Sequence, residues 1–119
     1  MQDYRNLRVW QHSHQVVLKV YAITRQFPSD ERFGLTSQIR RSAASIPANI
    51  AEGSARGSDA DFARFLSIAM GSAAELDYHL YLASDLHLID EVTYQAIHAE
   101  LESVRRMLTK FRQKLKTKG

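Results

Sequence analysis

Seven cations close the chain. Arg105, Arg106, Lys110, Arg112, Lys114, Lys116 and Lys118 stand within residues 103–119 with no acid among them. Residues 1–102 hold nine Lys+Arg against thirteen Asp+Glu, so a mildly acidic body of −4 carries an end of +7, and together they make the formal +3. Cations at this density bind phosphate, because each neutralised phosphate of a nucleic acid releases condensed counterions. The same residues suit a solvated helix end, where Lys and Arg complement the negative carboxyl-terminal pole and aid solubility. Arg40, Arg41, Arg56 and Arg64 are expected to add a second basic patch around the turn between the second and third helices. Tyr78 and Tyr81 offer ring faces for a stacked base or for a bundle rim and subunit contact.

Other chemistry is sparse. Glu75–His79 and His98–Glu102 are i,i+4 pairs on helix faces. A metal site needs three or four ligands, and such pairs are ordinary solvated helix contacts. A di-iron bundle needs Glu-x-x-His twice, but Tyr78 follows Glu75 at +3 and Ser103 follows Glu100. His12 and His14 point in different directions, and His14 falls on an apolar stripe as an interior or rim residue. Without cysteine there is neither a disulfide nor a thiolate ligand. No serine sits in a G-x-S-x-G elbow, and Gly53 and Gly57 do not match a phosphate loop. The expectation is a protein with no catalytic residues, no cofactor and no bound metal.

Helices must carry these groups. Leu7, Trp10, His14, Val17 and Tyr21 recur at helical spacing over a first helix from about Leu7 to Gln26. Val16, Val20, Ile23 and Phe27 add a second stripe, so this helix touches more than one neighbour. Phe27-Pro28 ends it, because the residue before proline leaves the helical region. Leu35, Ile39, Ala43, Ile46 and Ile50 line the core side of a second helix, and Gln38, Arg41, Ser45, Asn49 and Glu52 line another side. Pro47 lacks the N–H for the Ala43 carbonyl and predicts a kink, with Ser45 or Asn49 satisfying the loosened backbone. Gly53 to Ser58 reads as the next turn, and Ser58-Asp59-Ala60-Asp61 as a capping box. A third helix to about Leu86 shows Phe62, Leu66, Ala69, Ala73, Leu76, Leu80 and Ala83 inward, with small residues at its middle around Gly71. Asp90 caps a fourth helix, with Ile89 and Tyr94 as a staple across the cap.

Four such segments on short turns predict an all-α protein, an antiparallel up-and-down four-helix bundle formed by residues 1–119 as one domain. A chain this long buries about 65 % of its unfolded surface, enough for one core. Two stripes on the first helix and a small-residue face on the third exceed what one bundle hides, so oligomers are expected. No apolar run approaches the length of about 18 residues that a bilayer demands. Residues Met1-Gln2-Asp3-Tyr4-Arg5 begin no signal peptide. The expected localisation is cytoplasmic, without a membrane partner.

Leu7-Arg8-Val9-Trp10-Gln11, Phe27-Pro28, Leu35-Thr36-Ser37-Gln38-Ile39-Arg40-Arg41, Ser45-Ile46-Pro47-Ala48-Asn49-Ile50-Ala51-Glu52-Gly53 and Gly71-Ser72 with Glu75-Leu76 carry a resemblance. Over nearly its whole length the chain resembles the four-helix-bundle family of 23S rRNA intervening-sequence proteins. The resemblance implies a ring of bundles, mostly a pentamer, and no enzymatic activity. It implies that Gln38, Arg41, Ser45, Pro47, Asn49, Glu52, Gly53, Gly71 and Glu75 form a structural or interface motif. A related accessory protein of diversity-generating retroelements is associated with a reverse transcriptase and nucleic acid. Departures from the family pattern fall at Ser54-Ala55 and at Glu75-Leu76-Asp77-Tyr78-His79-Leu80, and both are expected to change a contact surface, so the resemblance does not carry over partner identity.

Two functions follow as expectations. One is a non-enzymatic homo-oligomeric scaffold, with five basic ends summing to +35, that associates with RNA or DNA. The other is a module that recruits a protein partner, such as a reverse transcriptase, without touching nucleic acid.

Overall fold

In the computed structural model, which describes residues 3–118, four helices follow one another. They are α1 (Arg8–Thr24), α2 (Leu35–Ser54), α3 (Asp59–Asp85) and α4 (Glu91–Lys118), with single 3-10 turns at Tyr4–Asn6 and Ser29–Glu31. Met1, Gln2 and Gly119 lie outside the described residues, as does the side chain of Lys118. No strand occurs among the described residues.

A few side-chain pairs fix the topology. Ser45 meets Ser72, and nearer the other end of α2, Gly53 meets Phe62 and Phe65, so α2 and α3 are antiparallel. Asp77 meets Tyr94 and His98, while Phe62 packs edge-on against Phe111, so α3 and α4 are antiparallel too. Lys19 pairs with Glu100 across α1 and α4. The helices form a square of neighbours, with α1 diagonal to α3 and α2 to α4. The bundle measures 46 × 23 × 20 Å.

Inward stripes at helical spacing close the core. Val16, Val20, Ile39, Ile46, Ile50, Leu66, Leu76, Leu80, Leu101, Val104 and Leu108 are fully buried. Each buried Leu, Ile or Val contributes about 1.5–3 kcal/mol of transfer free energy. The two stripes of α1 differ: Val16 and Val20 are buried, whereas Trp10, His14 and Val17 are only half-buried and Tyr21 is exposed. Trp10 stacks on His14 with ring centroids 4.8 Å apart, which places His14 at the rim.

Caps set the ends. The Ser58 hydroxyl accepts from the Asp61 N–H at 3.1 Å, but the Asp61 carboxylate turns to Arg64 instead of reaching back. Asp90 accepts from the Thr93 N–H at 2.7 Å, and this bond holds its carboxyl below the usual range. α3 ends in a Schellman turn: the Leu88 N–H reaches the Ala83 carbonyl, the His87 N–H reaches Ser84, and His87 sits at φ 62°.

Two boundaries differ from the sequence expectation. α1 stops at Thr24, two residues short of Gln26, and the Thr24 hydroxyl bonds back to the Val20 carbonyl at 2.8 Å. Gly53 belongs to α2, not to the turn. A Cβ there would stand 2.7 Å from Phe65 Cβ and 2.8 Å from Phe62 Cδ1, so glycine is required by close helix approach. α2 continues through buried Pro47, and Asn49 Nδ2 donates to the Ser45 carbonyl at 2.8 Å and to Ser45 Oγ at 2.9 Å.

Candidate nucleic-acid interface

Antiparallel order brings the start of α1, the α2–α3 turn and the end of α4 to one pole. Leu7 and Val9 share a groove of about 480 Å³ with Met107, Phe111 and Lys114. Ser54, Arg56 and Ser58 share a smaller cleft with Phe111 and Leu115. The cations of α4 divide into two kinds here. Arg105 is tied to Glu102 at 3.0 Å, and Arg112 donates to Ser67 Oγ at 3.2 Å. Arg106, Lys110, Lys114 and Lys116 are exposed and, among the described residues, have no acidic partner. Their spacing turns them away from the buried stripe Val104–Leu108–Leu115.

The second basic patch is not one patch. Arg56 pairs with Glu52 at 2.9 Å and lies 3.9 Å from Asp61, and Arg64 pairs with Asp61 at 3.1 Å. Both guanidinium groups sit over the Phe65 ring, at 4.7 and 4.5 Å. Arg40 lies far from them: it donates to Thr24 Oγ1 at 2.8 Å and covers the Tyr21 ring at 4.6 Å. α2 runs fourteen residues beyond Arg40 before it ends at Ser54, about 21 Å at 1.5 Å per residue, and Arg56 lies past that end. Arg40 therefore braces α2 to the end of α1, and Arg41 stands exposed beside it.

The polar side of α2 is half bonded and half solvated. Gln38, Arg41 and Glu52 are exposed, whereas Ser45 and Asn49 are half-buried. Ser45 Oγ lies 2.8 Å from Ser72 Oγ, which joins this seam to α3. On α3, Glu75 is exposed and Gly71 opens to solvent, with nothing within 4 Å of an added Cβ. Ile68, Tyr78 and Tyr81 are exposed on the same helix.

One cluster has no sequence signal. Asp77 Oδ1 accepts the Tyr94 hydroxyl at 3.1 Å and meets His98 Nδ1 at 2.9 Å, joining α3 to α4. Burial first, and the Asp77 bond second, push the Tyr94 hydroxyl up to about 12. Seventeen and twenty-one residues separate these partners, beyond the reach of any spacing rule. His98 is thus held by Asp77, and Glu102 by Arg105. His79 keeps a buried Nδ1 without a partner. Among the described residues no three His, Cys, Asp or Glu groups gather as metal ligands, and no helix is long and apolar enough to cross a membrane.

No curated protein matches the chain. A solved structure from Bacteroides thetaiotaomicron, described as a protein of unknown function from the S23 ribosomal protein family, is similar at 28 % identity and a TM-score of 0.78. The likeness covers 87 % of this chain and 97 % of that one. A family model described as 23S rRNA-intervening sequence protein matches residues 5–110. Neither description names an enzymatic activity. Four helices in this order and a match spanning most of the chain lead to one statement: the protein belongs to the 23S rRNA-intervening sequence protein family.

Proposed function

We propose that this protein is a non-enzymatic cytoplasmic scaffold, assembled as a pentameric ring, that binds RNA or DNA at its basic pole. The observation that carries the reading is the set of four exposed, unpaired cations on α4, Arg106, Lys110, Lys114 and Lys116. Multiplied around a ring, they make a phosphate-binding surface from contacts that are weak singly. Arg56 and Arg64 belong at its edge, partly neutralised by Glu52 and Asp61.

The side faces support the ring. Leu18 and Tyr21 are exposed on α1, and Ile68, Tyr78 and Tyr81 on diagonal α3. Different faces on opposite sides suit a heterologous contact, which closes into a ring when the rotation allows. A bend in α2 at Pro47 belongs to the same reading, because a missing N–H and a crowding ring tilt the two halves of a helix. The exposed tyrosines also favour a second reading, in which a partner enzyme such as a reverse transcriptase docks on α3 and the protein touches no nucleic acid.

Absorbance at 260 nm before and after a high-salt wash tests the first reading. Co-purifying nucleic acid that salt removes supports it. Replacing Lys110, Lys114 and Lys116 by Gln should weaken binding and flatten its salt slope by about 2–3 released ions per chain. Unchanged affinity in that variant rules out the pole as the contact.

A further inference from the structure

The pole opposite the cations has its own character. The end of α1, the start of α2 and the α3–α4 turn meet there. Phe33 is 91 % exposed, Val92 80 % and Leu86 51 %, three large apolar side chains on an end face only 23 × 20 Å across. Asp30, Glu31, Asp85, Asp90 and Glu91 belong to the same end with Arg25 and Arg32, a net −3, and the Arg32 guanidinium lies 5.6 Å from the Phe33 ring centroid. The basic pole presents the complement: a groove floored by Leu7, Met107 and Phe111, with Arg8, Lys110 and Lys114 at its rim. One end is acidic with apolar knobs, and the other is basic with an apolar socket.

We infer that the two poles recognise each other between copies: the acidic, apolar end of one assembly docks on the basic groove of the next. Phe33 enters the groove and the surrounding carboxylates face Arg8, Lys110 and Lys114. Such a contact joins opposite ends along the bundle axis, so no rotation closes it and it generates an open series of stacked units. The end face limits each copy to about 460 Å², about 900 Å² for the pair, below the range of stable interfaces, so stacking is weak and concentration-dependent. Its charge component is screened by salt. Nucleic acid on the basic pole competes with the same groove, which couples stacking to occupancy. This inference goes beyond the scaffold reading and does not require it.

The test is sedimentation velocity over a concentration series at low and high salt, using wild type, Phe33→Ser, and the double variant Lys110→Glu with Lys114→Glu. All three positions are exposed, and circular dichroism checks that each variant folds. Wild type should show a growing series that high salt collapses. Each variant alone should stay at its base assembly. Mixed together, they should form one paired species and nothing larger, because only one knob and one socket survive. A wild type without the series, a Phe33→Ser that still stacks, or an inert mixture overturns the inference. Phe33→Ser should retain nucleic acid at least as well as wild type does. Stacking without any nucleic-acid retention removes the scaffold reading alone.

Discussion

The hydroxyls of Ser45 and Ser72 lie 2.8 Å apart across α2 and α3, and Asn49 donates to Ser45 Oγ at 2.9 Å, one turn along α2. An oxygen that accepts from Asn49 is free to donate to Ser72. The chain thus bonds half-buried polar groups on both sides of Pro47, where the helix lacks one of its own bonds.

This relay makes a coupled pair. Ser45→Ala strips a partner from both Ser72 and Asn49 and should destabilise the fold by about 1–2 kcal/mol in urea unfolding. Ser72→Ala combined with it should fall short of additivity by about 0.5–1 kcal/mol. Strict additivity would show that the two hydroxyls do not interact.

Gly53 and Gly71 should respond in opposite ways to alanine. At Gly53 the new methyl meets Phe65 Cβ and Phe62 Cδ1, and displacing two aromatic residues costs about 1–3 kcal/mol. At Gly71 the methyl meets nothing within 4 Å, so helix propensity alone acts and stabilises by about 0.5–1 kcal/mol. Chemical denaturation of both variants checks the pair, and equal effects would contradict the close approach at Gly53.

His87 occupies the left-handed position of the turn that ends α3, at φ 62°. Glycine is the residue that adopts this conformation freely. His87→Gly should raise the unfolding free energy by about 0.5–1 kcal/mol, net of its greater unfolded-chain entropy. A loss of stability would mean that the imidazole makes a contact worth more than the strain.

Tyr94 gives the bundle an alkaline limit. Its hydroxyl ionises near 10 in the unfolded chain and is pushed up to about 12 in the fold. Between those values the unfolded state holds fewer protons, so stability falls as pH rises. The contribution is complete below about 10 and is lost on the way to about 12. Tyr94→Phe should therefore unfold with a shallower decline over that window. A constant difference between the two proteins across it would contradict the raised value.

Much of the bundle was legible because the helices advertise themselves by period. The stripes Leu35–Ile50 and Phe62–Ala83 went inward as their spacing demanded, and Ser58 and Asp90 capped the helices they precede. Gly53 was misplaced because a glycine that ends a helix and one that lets two helices touch look alike in one dimension. Arg40 was grouped with Arg56 for the same reason: composition records charge, but helix rise sends the two to opposite ends. The Asp77–Tyr94–His98 cluster was invisible, since its members meet only after α3 and α4 pack. The exposed α4 cations were legible as residues, but their unpaired state depended on where Glu102 and Ser67 fell.

In the proposed assembly, a bundle with apolar side faces on α1 and α3 joins its sisters into a closed ring with the basic poles together. Native mass measurement at micromolar concentration and high salt decides whether that ring exists. A closed ring gives a single species of five 13.6 kDa chains, 68 kDa, that salt does not dissociate. A monomer at 13.6 kDa under those conditions would contradict it and disperse the cations on which the proposed function depends.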